Sequence, residues 1–170
     1  MNLQPYIQDI PDFPKKDIIF KDITPLFKNQ QAFQSAVEQL IAICPEPGSI
    51  DKVIGIESRG FIMGSIIANR LNAGFVPVRK QGKLPAEVIS QKYDLEYGSA
   101  ILEIHKDAIQ EGERVLIHDD VLATGGTAKA TQALIEKLGG TVVQFNFLIE
   151  LVFLKGREGL NAPVGTLLTY

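Results

Sequence analysis

The sequence predicts an α/β fold, a mostly parallel central sheet flanked by helices, and two stretches built to the same pattern predict it. Val53-Ile54-Gly55-Ile56 is a short apolar run that leads into the turn Glu57-Ser58-Arg59-Gly60 and then a helical stretch from about Phe61 to Leu71. Val115-Leu116-Ile117 leads in the same way, through Asp119 and Asp120, into Ala123-Thr124-Gly125-Gly126-Thr127. Beyond that turn Ala130, Ala133, Leu134, Ile135 and Leu138 recur at helical spacing until Gly139-Gly140 ends the pattern. Two such turns at one end of a parallel sheet converge on a crevice, the place where open α/β sheets bind ligands. A third observation is size: 170 residues at 45% hydrophobic content suit one well-buried core, so residues 1–170 are expected to form a single domain.

Composition excludes several functions. Lys and Arg total 17 against 20 Asp and Glu, a net charge of −3, so the broad basic face that non-specific nucleic-acid binding needs is missing. Cys44 is the only cysteine, which excludes an intrachain disulfide and a cysteine-based metal site; it falls on the apolar face of a helix and is read as a core residue. The opening residues lack a basic start with an apolar core, and no run of about 18 apolar residues occurs. A cytoplasmic protein with no membrane or nucleic-acid partner is the expectation.

The remaining elements follow in order. Pro5, Pro11, Pro14 and Pro25 make residues 1–28 an irregular arm with room for one short helix. Phe33, Val37, Leu40, Ile41 and Cys44 share one helical face over Gln30 to Cys44, with Asn29 as N-cap and Pro45 as stop. Gly74 to Val78 predicts a strand, and after it residues 79–99 show no strong period while concentrating Arg79, Lys80 and Lys83. A connection of roughly twenty weakly patterned residues in a compact domain predicts a functional loop or lid, here with cations suited to a pyrophosphate. Ala100 to His105 and Val142 to Ile149 alternate as strands; His105 and His118 lie in or beside strands with no partner arrangement for catalysis and are read as structural.

The stretch around Asp119 carries the chemistry. Free N–H groups of a helix's first turn and of a loop of small residues can surround a phosphate, with Thr124 and Thr127 adding hydroxyl donors. Asp119 and Asp120 would repel that phosphate if they faced it, so they belong further back, accepting from sugar hydroxyls or holding a divalent cation. A sugar phosphate satisfies both ends. Taken alone, the stretch also fits an ordinary β-to-α turn with a solvated acidic edge. It is not a Walker A loop, because no Lys follows its last glycine.

The same stretch resembles the 5-phosphoribosyl-1-pyrophosphate (PRPP) signature of the type I phosphoribosyltransferases. The resemblance spans about Pro11 to Glu158, with four separated motifs in family order, and implies that family's fold, including a small hood from the N-terminal arm. It implies that Asp119 and Asp120 contact the ribose hydroxyls and that Ala123, Thr124, Gly125, Gly126 and Thr127 hold the 5′-phosphate. Glu57-Ser58-Arg59-Gly60-Phe61 matches the pyrophosphate loop, giving Ser58 and Arg59 that role. Residues 79–99 match the flexible catalytic loop, with Arg79, Lys80, Lys83 and Tyr97 on the pyrophosphate side and Glu96, in Leu95-Glu96-Tyr97-Gly98, as catalytic acid/base. The proline-punctuated arm resembles the hood of the adenine-using branch, which places Phe20 on the base, and the backbone of Lys21, where Arg is frequent in the family, at its edge. Glu150-Leu151 through Arg157-Glu158 matches the C-terminal motif beside the base, with Leu151 or a nearby apolar residue completing the sandwich.

The resemblance implies purine salvage: a pentosyl transfer from PRPP to adenine that gives AMP and pyrophosphate. It further implies Mg²⁺ bound mainly through substrate oxygens, with no dedicated protein cage, and a homodimer. Relatives acting on 6-oxopurines place an Asp before the Thr-Gly of the phosphate loop, whereas this chain has Ala123, which favours adenine. Two alternatives stand beside this reading: an enzyme for another purine such as xanthine, hypoxanthine or guanine, and a PRPP- or nucleotide-sensing regulator on the same fold.

Overall fold

The computed structural model describes residues 1–46, 48–94 and 98–170. Its contacts gather into two compact units, Met1–Gln39 and Leu40–Tyr170, where the sequence suggests one domain with an arm ending at residue 28.

The first unit is more ordered than its prolines predict. After a 3₁₀ turn at Gln4–Tyr6, β1 (Gln8–Pro11) pairs antiparallel with β2 (Ile19–Asp22), and a short helix, α1, spans Thr24–Lys28. Pro11 closes its strand and Pro25 stands in the first turn of α1, two places where the missing N–H donor is tolerated. Helix α2 (Gln30–Ala42) starts where expected: Asn29 Oδ1 accepts the Ala32 N–H at 3.0 Å. It stops short of Cys44, which is half-buried rather than in the core and donates its thiol hydrogen to the Leu40 carbonyl at 3.2 Å.

The second unit is a seven-stranded sheet in the order β5-β6-β4-β3-β7-β8-β9. Its strands are β3 (Lys52–Ile56), β4 (Gly74–Lys80), β5 (Val88–Asp94), β6 (Ser99–His105), β7 (Arg114–Leu122), β8 (Thr141–Glu150) and β9 (Val164–Thr169). Neighbours from β4 through β9 are parallel, while β6 runs antiparallel to both β4 and β5. Helix α3 (Gly60–Arg70) links β3 to β4, and α4 (Gly126–Lys137) links β7 to β8. The apolar runs of β3 and β7 are buried on both faces, as central parallel strands must be.

Two strands escape the periodicity. Within residues 79–99, the stretch with no strong period, β4 continues to Lys80 and β5 pairs with β6 from Val88–His105 to Asp94–Ser99. β9 closes the opposite edge. Edge strands have one neighbour and a solvated side, so their alternation is diluted with polar residues while backbone pairing still orders them. Among the described residues no helix is long and apolar enough to cross a membrane.

Connections leave β3 and β7 in opposite directions, β3 to β4 on one side and β7 to β8 on the other. The point between β3 and β7 is therefore the topological switch, and the polar turns after both strands open there.

Candidate active site

Strand β7 does not stop at its acids. Its pairing with β3 ends at Gly55–His118, but its pairing with β8 continues to Leu122–Glu150, so Asp119 and Asp120 stand on a strand with a neighbour on one side only. Alternation along the strand separates the two carboxylates. Asp119 lines a small cradle of about 60 Å³ with Phe147 and the loop residues Ala123, Thr124, Gly125 and Thr127. Asp120, 4% exposed, meets the Arg59 Nε at 2.8 Å.

Burial raises the Asp119 carboxyl well above the usual carboxylate range, and the charge of Asp120 adds to it. Burial also raises Asp120, against the opposing charge of Arg59. Two acids held this way gain from any ligand that brings hydroxyl donors or positive charge.

The loop from Ala123 to Gly125 runs directly into α4. Gly125 takes φ 80° as the N-cap of α4, a left-handed conformation that suits glycine. The helical ladder begins with the Lys129 N–H donating to the Gly125 carbonyl at 2.9 Å, so the N–H groups of Gly126, Thr127 and Ala128 at the helix start are directed at the cradle end. Ala123 and Thr127 are half-buried there and Thr124 is exposed.

On the β3 side, Ser58 is exposed and Arg59 is the N-cap residue of α3. Close approach explains the next residue: a Cβ on Gly60 would lie 2.9 Å from both the Asp119 Oδ1 and the His118 carbonyl oxygen. Only glycine lets the start of α3 come up against the acidic end of β7.

The cations of the predicted loop are gathered by a residue that sequence reasoning left without a role, Glu57. Its carboxylate accepts from Arg79 at 3.3 Å, Lys83 Nζ at 2.9 Å and the Lys80 N–H at 3.0 Å. Burial pushes this carboxyl up, but the Lys83, Lys80 and Arg79 hydrogen bonds outweigh it and hold it at about 2. Arg79 also donates to the Lys83 carbonyl at 3.0 Å, closing the turn, while the Lys80 side chain is exposed. A second acid, Glu103 in β6, is buried and accepts the Gly82 N–H at 2.8 Å. A carboxylate at the end of an apolar strand, in a motif otherwise made for anions, was the available signal for Glu57. For Glu103, in an alternating strand flanked by β5 and β4, there was none.

Both histidines are structural. His118 is fully buried; its Nδ1 donates to the Asn146 Oδ1 at 2.9 Å, a tautomer set by the Asn146 amide, which donates to the Leu40 carbonyl. Burial brings its imidazole down to about 4 against the Asn146 bonds, so it is neutral at pH 7. His105 Nε2 lies 2.7 Å from the Pro85 carbonyl.

Leu151 follows β8, and its N–H donates to the Leu122 carbonyl at 2.9 Å, one residue before the Ala123 to Thr127 loop. In the first unit, Phe20 packs edge-on to Phe13 with centroids 5.2 Å apart, and the Lys21 ammonium pairs with Asp9 at 2.7 Å. Glu96 and Tyr97 lie outside the described residues.

A model of the phosphoribosyl transferase domain matches residues 26–159. An adenine phosphoribosyltransferase of Christiangramia forsetii is 58% identical over 161 residues, 95% of this chain and 94% of the relative. The crystal structure of adenine phosphoribosyltransferase from Thermoanaerobacter pseudethanolicus gives a TM-score of 0.95 at 50% identity, covering 99% of this chain and 98% of that one. The Saccharomyces cerevisiae enzyme, complexed with D-2,5-dideoxy-2,5-imino-altritol 1,6-bisphosphate and adenine, gives 0.88 at 44% identity over 96% of this chain and 95% of that one. With cradle, acid pair and cation turn meeting at its switch point, the chain belongs to the phosphoribosyltransferase family and groups with the adenine phosphoribosyltransferases.

Proposed function

We propose that this protein transfers the phosphoribosyl group of PRPP to adenine, giving AMP and pyrophosphate in purine salvage. The observation that carries the proposal is the arrangement at the end of β7: Asp119 beside a phosphate-sized cradle, and Asp120 against Arg59 on the alternate face of the strand, both carboxyls raised by burial. The relatives' shared name supplies the base.

In this reading the amides of Gly125 to Thr127 and the Thr124 and Thr127 hydroxyls hold the 5′-phosphate, and Asp119 and Asp120 accept from the ribose hydroxyls. Arg59, Arg79 and Lys83, with Ser58, Lys80 and Tyr97, receive the pyrophosphate. The bond from the anomeric carbon to the pyrophosphate oxygen breaks as the bond to the adenine nitrogen forms on the opposite face. Positive charge then develops on the ribose ring and negative charge on the leaving group, and cations fixed in advance favour that separation. The displaced adenine proton passes to Glu96. Phe20, Lys21 and Leu151 are the proposed base contacts.

Among the described residues no group of three or more His, Cys, Asp or Glu could hold a metal. The donor set here, two carboxylates that burial leaves short of positive charge, suits a hard cation shared with substrate oxygens, and Asp119 and Asp120 are the residues that would hold it. Mg²⁺ held there would supply positive charge toward the pyrophosphate. A cytoplasmic location belongs to the same proposal, since a phosphorylated substrate stays on the side of the membrane where it is made, and a homodimer is carried over from the family resemblance alone.

A matrix of adenine, hypoxanthine, guanine and xanthine against PRPP, with and without Mg²⁺, tests the whole. Turnover of adenine alone, dependent on Mg²⁺, is expected; a preference for an oxopurine would overturn the base assignment. Glu96→Gln is expected to lower kcat by roughly 100-fold or more with little change in PRPP affinity, and an unchanged kcat removes its role.

A further inference from the structure

Gly125 and Gly156 meet backbone to backbone. A Cβ on Gly125 would collide with the Gly156 carbonyl oxygen, and a Cβ on Gly156 would collide with that of Ala123. No side chain intervenes, so a shift of one backbone passes directly to the other. Gly156 is buried although Lys155 and Arg157 on either side are exposed, so something other than its own apolar surface keeps it in place.

The neighbouring residue supplies that hold. Arg157 grips Glu150, seven positions earlier, with Nε to Oε1 at 2.6 Å and an NH2 contact to Oε2 at 2.5 Å. The same guanidinium donates to the Val164 carbonyl at 3.0 Å and the Thr166 hydroxyl at 3.2 Å, both in β9. Glu150 is 4% exposed and sits opposite Leu122 in the β7–β8 register. Segment 150–157 is thereby fixed at one end to the last residue of β7 and at the other by a two-pronged ion pair, with Gly156 pressed on the phosphate loop beside it.

We propose that Glu150 and Arg157 are positioning residues for the phosphate loop, their pair holding the Gly156 backbone as the wall against which Ala123 to Gly125 are set. The inference rests on the reading of that loop as the 5′-phosphate cradle. Neither side chain needs to touch substrate: a bidentate pair fixes direction as well as distance, and the amides at the start of α4 bind a phosphate only while they keep their aim.

Titration of the full chain with ribose 5-phosphate and, separately, with inorganic pyrophosphate tests it. Arg157→Met and Glu150→Gln are each expected to weaken ribose 5-phosphate by roughly tenfold or more while pyrophosphate binding changes by less than about twofold. Arg157→Lys keeps the charge without the fork and is expected between wild type and Arg157→Met; it also carries the test if Arg157→Met does not fold. Arg114→Met, which breaks an ion pair at the far end of β7, is expected to leave ribose 5-phosphate binding as in wild type. Unaltered ribose 5-phosphate binding in the Arg157 variants overturns the buttress, as does equal weakening of both ligands, the sign of general loosening. Wild-type protein that binds neither ligand refutes the site reading itself, and the buttress with it.

Discussion

The two ends of β7 carry the same chemical groups with opposite electrostatic results. At its start Arg114 forks onto Asp51, Nε to Oδ2 at 3.0 Å and an NH2 contact to Oδ1 at 3.1 Å, and the Arg114 N–H adds a bond at 2.8 Å. These bonds bring the Asp51 carboxyl down to about 2. At the other end burial dominates and raises Asp119 and Asp120, with one guanidinium on Asp120. The first pair is closed and satisfied in the free protein. The second is left short of hydrogen-bond donors and positive charge, which a ligand can supply. A site that is under-satisfied without its substrate gains most when the substrate arrives, at the expense of stability in its absence.

The sharpest way to break this contrast is to neutralise the acids at the binding end. Asp119→Asn and Asp120→Asn are each expected to weaken PRPP by roughly 10- to 100-fold, the range for hydrogen bonds to charged groups, and unchanged titration curves would remove the ribose contact. A smaller effect is expected from Glu57→Gln, which loosens Arg79 and Lys83: pyrophosphate binding should weaken by about 3- to 10-fold. Tighter binding in that variant would mean that Glu57 withholds the cations instead of presenting them.

Stability against pH separates the two ends by sign. A carboxyl raised by folding favours the native state below its ordinary pKa and works against it as pH rises through the folded value. Asp119→Asn is therefore expected to raise Tm at pH 7 relative to wild type, with the gain vanishing toward pH 4. A carboxyl lowered by folding stabilises above its ordinary pKa, so Asp51→Asn is expected to lower Tm at pH 7, with the loss closing as pH falls from about 4 to about 2. Equal pH profiles for the two variants would erase the contrast. The smallest change is expected from Arg114→Met: a slight fall in Tm, because both partners are partly solvated, and an unchanged KM for PRPP.

Legibility in the sequence followed the same division. The paired strand-turn-helix units were readable because β3 and β7 are buried on both faces and their glycines fall where helices start or strands pass close by, as Gly60 and Gly125 do. β5 and β9 were not, since edge strands take their order from a neighbour's backbone more than from their own pattern. Ser58, Arg59 and the Ala123 to Thr127 loop were visible as local chemistry following a strand. Glu57 and Glu103 were not assigned, because each acts on groups supplied by other segments: Lys83 lies 26 residues from Glu57, and Gly82 lies 21 from Glu103; Arg157 grips a partner only seven residues away, but what the pair sets in place, the meeting of Gly156 with Gly125, is made by distant segments.

What the chain determines by itself is the kind of site: an apolar strand, two acids, a loop of small residues and a helix, in an order that suits a phosphorylated sugar and matches a known family along most of its length. What only tertiary structure decides is how charge is shared within it. Whether an acid rises or falls depends on how far it is buried and which cation reaches it, and both come from packing between distant segments. Asp51 and Asp119 are the same residue type in the sequence; the Arg114 fork lowers one, and burial beside a second carboxylate raises the other.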